Sequence, residues 1–221
     1  LRPYTVVFPK PLVPINGELP ILEIIIKQLK KNGFKHITLA VNYLSNLIMA
    51  YFGNGEKWNV KIDYSVEETP LSTMGPLTLI EDLPKTFLVM NGDILTDINY
   101  KNLMQNHIEN KYDVTVASYT RKQKIDFGVL ETNKNNLITG FEEKPEYTFL
   151  VSMGIYVINR SIIDKLERGI HYGFDDLMLN GVSNHLNFHT YPFDGYWLDI
   201  GRPDDYSQAN EDFIEMREKL L

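Results

Sequence analysis

Along roughly the first 120 residues, apolar runs alternate with amphipathic segments, and this rhythm constrains the fold more than any other feature of the chain. PILEIIIKQLKKNG places Ile21, Leu22, Ile24, Ile25 and Leu29 on one helical stripe, opened by Pro20 and closed by Lys30, Lys31 and Gly33. HITLAVN then reads as a buried strand, YLSNLIMAYFGNG as a short helix with a glycine stop, and VKIDYSVE as an alternating strand. GPLTLIEDL, TFLVMNGD, NYKNLMQNHIEN and DVTVASYT continue as helix, strand, helix and strand. Strands separated by helices predict an α/β fold of Rossmann-like type: a mixed, mostly parallel sheet with helices on both faces.

Beyond about residue 120 the rhythm changes. GVLETNKNNLITGFEEKP reads as a hairpin with a polar turn, SMGIYVIN as a strand, SIIDKLE and FDDLMLNGV as helices, and FHTYPFDGYWLDIG as β-rich. An amphipathic helix over about 204–221 closes the chain. No linker, repeat or low-complexity segment interrupts it, so one domain over 1–221 is expected. With 43% hydrophobic residues among 221, a sizeable core is available. The absence of Cys excludes disulfides, thiolate metal sites and Cys nucleophiles, and suits a cytoplasmic location. No apolar run approaches the ~20 residues that span a bilayer, and prolines break the opening stretch where a signal peptide would need an apolar helix. A net charge of -7 disfavours a nucleic acid polymer as partner but not a small phosphate ligand held in a local basic pocket.

The opening LRPYTVVFPKPLVPI is unlike the rest. It holds Pro3, Pro9, Pro11 and Pro14, the cations Arg2 and Lys10, and no acid. Stiff and cationic, it suits a phosphate-binding loop, although Pro-rich ends also serve as solvated arms. In open α/β sheets ligands sit beyond the carboxyl ends of the strands, and three polar signals fall at such places. Asp93 ends FLVMNGD, where it would hold a divalent cation or, with Asn91-Gly92, sit in a tight turn. Asp97, four residues on, reads as a supporting carboxylate or a helix cap. Asp199 follows an apolar stretch in GYWLDIGRP and reads as a cation ligand or a turn residue. Two such carboxylates suit one Mg²⁺, which takes one or two carboxylates plus substrate phosphates. Lys144 in EEKP, like Lys10 in FPKPL, precedes proline, which favours extended backbone and a pre-set point charge for a phosphate. EEKP alone is also an ordinary charged turn. His185 and His189 are four apart but lie on a loop entering a strand, and no nucleophile with a companion base stands out.

In order along the chain, FPKPL, TPLSTMGPL, NGD, FEEKP, GIYVI and GYWLDIGRPDDY resemble the motifs of the sugar-phosphate nucleotidyltransferases, or nucleoside-diphosphate-sugar pyrophosphorylases. The nucleotide loop resembles that of the mannose-1-phosphate guanylyltransferase type. The likeness covers nearly the whole chain. It implies the nucleotide-diphospho-sugar transferase fold, with a nucleotide-binding part over about 1–120 and a sugar-binding part over about 121–200. It implies transfer of a nucleotidyl group from a nucleoside triphosphate to a sugar 1-phosphate, with pyrophosphate released and Mg²⁺ as cofactor. By the same likeness Lys10 would hold the nucleotide phosphates, and Asp93 and Asp199 would bind the metal. Glu143 and Lys144 would hold the sugar and its phosphate, Gly128 and Ser152 would contact the sugar, Trp197 would line its pocket, and Gly75 would approach the base. Ser72 and Met74 stand where the family's nucleotide loop has Gly and Ala, and Ser152 where many members have Asn. The family's glycine-rich turn and Arg, and a first strand before them, are expected upstream of Leu1, so the chain reads as an incomplete version of such an enzyme.

Glu67 and Glu68 precede the nucleotide loop. One carboxylate can accept both adjacent donors of guanine, whereas uracil and thymine offer a single donor flanked by carbonyls, so guanine is the expected base, and the likeness to mannose-type members then implies a GDP-mannose-like product. Both glutamates also read as solvated charges at a strand end. Two other functions compete: a glycosyltransferase consuming a nucleotide sugar, and a catalytically silent subunit that senses one. The expected partners are thus small phosphorylated substrates, with neither membrane nor nucleic acid, and a second copy of the chain is compatible with the sequence.

Overall fold

The computed structural model describes Thr5 and residues 8–221; Arg2 and Pro3, counted above in the cationic opening, lie outside the described residues. Two short strands, β1 (Pro14–Ile15) and β2 (Leu19–Pro20), pair as an antiparallel hairpin. Asn16 and Gly17 turn it with positive φ of 50° and 69°, which these two residue types tolerate. Pro20 caps helix α1 (Ile21–Lys31), whose apolar stripe is buried along its length. Then follow β3 (His36–Val41), α2 (Ser45–Phe52), β4 (Lys61–Val66), β5 (Thr86–Met90), β6 (Ile94–Thr96) and α3 (Tyr100–Asn110). The second half holds β7 (Val114–Lys124), β8 (Val129–Thr132), β9 (Ile138–Glu142), β10 (Glu146–Asn159), α4 (Arg160–Ile163), α5 (Phe174–Ser183), β11 (Phe188–Phe193), β12 (Trp197–Asp199) and α6 (Pro203–Leu220).

The four-stranded sheet runs β11-β7-β10-β5. β11 is parallel to β7, and β10 is antiparallel to both its neighbours. β3 and β4 form a parallel pair, while β6–β12 and β8–β9 are antiparallel. The α/β class and the mixed sheet agree with the sequence rhythm. The parallel share is smaller than that rhythm suggests: among the described residues five ladders are antiparallel and two parallel. The reason is β10, a 14-residue strand that enters from a hairpin and runs back between β5 and β7. GPLTLIEDL also departs from the expected helix. It makes only a 3-10 turn over Gly75–Leu79, with the Thr78 hydroxyl donating to the Gly75 carbonyl at 2.7 Å.

Residues 114–118 of β7 are buried on both faces, as a central strand requires; beyond Tyr119 the strand projects as an exposed arm with the start of β10. At the far end of the sheet, burial holds His107 below its ordinary pKa. Its ring meets the Thr115 hydroxyl at 2.8 Å and Asn159 Oδ1 at 3.2 Å. Asn159 Oδ1 can only accept, so Nε2 carries the proton and Nδ1 accepts from Thr115. No described helix is long and apolar enough to cross a membrane.

Helix α6 positions the site from behind. Ala209, Phe213 and Leu220 are fully buried in the larger of two apolar clusters, and the helix packs against β1, β6 and β12. Tyr206 adds a hydrogen bond from its hydroxyl to the Pro14 carbonyl at 2.6 Å. Phe213→Ala is expected to lower stability by about 3–5 kcal/mol. Ile214→Ala, at a position 68% exposed, should change it by less than about 0.5 kcal/mol. Urea denaturation of the two variants beside the parent chain makes the comparison.

Candidate functional site

Lys10 is set by its prolines, though not in the expected way. Pro9 supplies the extended backbone (φ -65°, ψ 134°), and Lys10 itself opens a 3-10 turn over Lys10–Leu12. The turn is closed by hydrogen bonds from Leu12 N–H to the Pro9 carbonyl and from Val13 N–H to the Lys10 carbonyl, at 2.9 and 3.0 Å. Buried Leu12 and Val13 anchor it. The Lys10 ammonium donates to Asp93 Oδ2, 83 positions along the chain.

Asp93 lies just past β5. The chain does turn at Gly92 and Asp93, but the tight hairpin turn offered as the alternative fails, because β6 does not fold back on β5 but pairs with β12, with Asp199 opposite Ile94. The Ile200 N–H donates to the Asp93 carbonyl at 3.1 Å, so two carboxylates more than 100 positions apart become neighbours. Asp97 does not cap α3; Asn99 does, accepting from Asn102 N–H at 2.9 Å. Asp97 Oδ1 instead accepts from Tyr196 N–H at 2.8 Å, and its own N–H donates to the Tyr196 carbonyl at 3.2 Å, clasping the start of β12.

The electrostatics follow from this crowding. Burial, then the Asp93 charge, pushes Asp199 above the usual carboxylate value, with Lys10 opposing. Asp199 is nonetheless exposed to solvent, and screening limits the shift. Asp93 Oδ1 is buried and has no hydrogen-bond partner among the described residues. Among the described residues no group of three or more His, Cys, Asp or Glu could hold a metal. Two carboxylates, one with an unpartnered oxygen, fit Mg²⁺, which completes its shell with phosphate and water.

Trp197 and Ser152 flank this pair through β10. The strand bulges between Ser152 and Tyr156. Gly154 takes φ +73° there, and a Cβ on it would stand 2.8 Å from Asn91 Nδ2, so the bulge needs glycine. The Trp197 indole N–H donates to the Met153 carbonyl at 3.2 Å, and its ring meets Tyr119 at 5.2 Å. Its donor being engaged, Trp197 offers a neighbour only its apolar face. The Ser152 hydroxyl accepts from Gly154 N–H at 3.2 Å and lies 3.3 Å from the Tyr156 hydroxyl.

A second group forms on the β8–β9 hairpin. Val129 pairs with Glu142, which sets Gly128 beside Glu143. A Cβ on Gly128 would meet the Phe141 ring at 2.5 Å and Glu143 Oε2 at 3.1 Å. Lys144 has φ +47°, which corrects the expectation of extended backbone. A following proline disfavours the right-handed region, and this turn uses the left-handed one at about 1–2 kcal/mol.

The third group is the loop after β4. Glu67 Oε2 accepts from Leu71 N–H at 2.9 Å and closes the loop on itself. Ser72, where the likened family has Gly, sits at φ +65°, a conformation that suits glycine. A Cβ on Gly75 would meet the Ile170 carbonyl at 2.5 Å, and its N–H donates to the Tyr172 carbonyl at 3.0 Å. Glycine is therefore required at 75 by the chain's own 170–172 segment.

Sequence reasoning missed Tyr156 and undervalued Asp97. Tyr156 is buried, stacks on Phe174 at 3.8 Å, and is pushed up by burial with the Asp199 charge contributing. Its signal was a polar-tipped aromatic inside an otherwise apolar strand.

The family model described as Nucleotidyl transferase matches residues 1–216. The chain is 32% identical over 215 residues to a mannose-1-phosphate guanyltransferase of Schizosaccharomyces pombe, covering 93% of this chain and 59% of that protein. It is 31% identical over 229 residues to a UTP–glucose-1-phosphate uridylyltransferase of Synechocystis, covering 95% and 59%. It thus spans about three-fifths of the length of the curated relatives it matches. A solved structure, HddC from Yersinia pseudotuberculosis complexed with GMP-PN, is similar with a TM-score of 0.71 at 25% identity, over 93% of this chain and 90% of that one.

The raised Asp199 gives a pH test. In the metal-free protein Asp199 holds its proton more tightly folded than unfolded, so stability falls as pH rises from the usual value of 3.8 through the higher folded one. Asp199→Asn removes that loss. With a chelator at pH 7 the variant should melt about 1–2 °C above the parent, screening keeping the gain small, and the difference should shrink toward pH 4. Differential scanning calorimetry across pH measures it.

Proposed function

Because this chain belongs to the nucleotidyl transferase family, we propose that it transfers a nucleotidyl group from a nucleoside triphosphate to a sugar 1-phosphate, with guanosine triphosphate and mannose 1-phosphate as the preferred pair. The observation that carries the reading is the meeting of Lys10, Asp93 and Asp199 beyond the sheet, one cation and two carboxylates, one of whose oxygens lacks a partner among the described residues. A sugar-phosphate oxygen attacks the α-phosphorus in line and pyrophosphate leaves, so the protein's work is positioning and charge neutralisation. Asp93 and Asp199 would hold Mg²⁺, which supplies charge neutralisation on the phosphoryl oxygens. Lys10 takes the nucleotide phosphates. Glu143 and Lys144 take the sugar and its phosphate, with Gly128 and Ser152 against the ring and Trp197 as an apolar wall. The nucleotide-binding part then lies within about 1–120 and the sugar-binding part within about 121–200.

The choice of guanine rests on Glu67 and on the guanylyltransferase relatives; the uridylyltransferase of similar identity is the competing case. With Glu67 Oε2 on Leu71, a base would meet Oε1. The Gly75 region would give the base backbone contacts and apolar surface. The test is a panel of nucleoside triphosphates against sugar 1-phosphates, scored by pyrophosphate release. Guanosine triphosphate with mannose 1-phosphate is expected to be fastest, and Asp93→Ala to lower turnover on the order of 10²-fold or more. Preference for uridine or thymidine triphosphate would overturn the base assignment, and release unaffected by Asp93→Ala would overturn the site.

A further inference from the structure

Lys10 and a metal on Asp93 make the same demand of one carboxylate. The Lys10 ammonium lies on Asp93 Oδ2, and both side chains are only about a quarter exposed, 27% and 24%. Asp93 Oδ1 is buried without a partner among the described residues. A divalent cation on Oδ1 would lie within a few ångströms of the ammonium, close enough for the like charges to repel.

We propose that Lys10 is an internal counter-ion that holds the cation's place on Asp93 in the nucleotide-free protein, and that metal replaces it there only as a triphosphate arrives to receive the lysine. The metal therefore enters with the nucleotide rather than ahead of it. The bond given up is the Lys10–Asp93 ion pair, and the bonds formed are lysine to phosphate and carboxylate to metal, so charge is exchanged without net loss of pairing. The geometry allows the exchange, because Lys10 stands on a turn fixed by buried Leu12 and Val13, and only its flexible stem needs to move. The inference rests on the reading of Asp93 as a metal ligand.

The probe is Mn²⁺, titrated into the nucleotide-free chain and followed by electron paramagnetic resonance. Lys10→Met should bind it on the order of tenfold or more tightly than the parent, the scale on which one adjacent unit charge changes a carboxylate's hold on a proton. Lys10→Arg should stay as weak as the parent. Adding Asp93→Asn to Lys10→Met should abolish the gain. Equal or weaker binding by Lys10→Met, including no measurable binding by either protein, would overturn the proposal, as would a gain that survives Asp93→Asn. Lys10→Gln repeats the test should the Met variant not fold, as judged by its melting transition. Pyrophosphate release plays no part in the titration, so failure here leaves the transfer reading standing, and failure of that reading leaves the titration interpretable.

Discussion

Two carboxylates held side by side repel one another, and the surroundings of Asp93 and Asp199 are what keep them there. The antiparallel ladder between β6 and β12 fixes their spacing through backbone hydrogen bonds that do not depend on side-chain charge. Asp97 locks the entry to β12 by accepting from Tyr196 N–H. Behind the ladder, α6 buries Ala209 and Phe213. In front, Lys10 offsets one of the two charges. The residual imbalance appears as a raised Asp199 and an unpartnered Asp93 oxygen. Under the proposed reading, a cation bound at the pair would offset their mutual repulsion.

The remaining candidate residues belong to flexible-looking sequence that is geometrically constrained. Gly154, Gly128 and Gly75 each face an atom that a Cβ would strike: Asn91, the Phe141 ring and the Ile170 carbonyl respectively. Lys144 and Ser72 take left-handed backbone conformations without being glycine. Such positions persist only where neighbouring structure over-determines them.

Much of this was readable from the amino acids. Asp93 and Asp199 stood out because each follows an apolar strand, and Lys10 because two prolines flank it. That the two carboxylates converge was expected from their chemistry, but the Lys10–Asp93 contact was not, nor the pairing of β12 with β6, two three-residue strands too short to show a period. The direction of β10 was hidden for a related reason. A buried strand has the same apolar pattern whichever way it runs, so only the hairpin before it hinted at antiparallel pairing. The β1–β2 hairpin passed unread, its strands being two residues each, although Asn16-Gly17 is a strong turn signal. The extended backbone expected at Lys144 failed because a following proline excludes one region of conformational space without choosing between the others.

The most direct test of the account is a crystal structure with Mn²⁺ and a non-hydrolysable nucleoside triphosphate, read by anomalous scattering. The account predicts a single metal peak between Asp93 and Asp199, with the Lys10 ammonium moved from Asp93 onto a phosphate oxygen. A metal bound away from both carboxylates, with Lys10 still paired to Asp93, would contradict it.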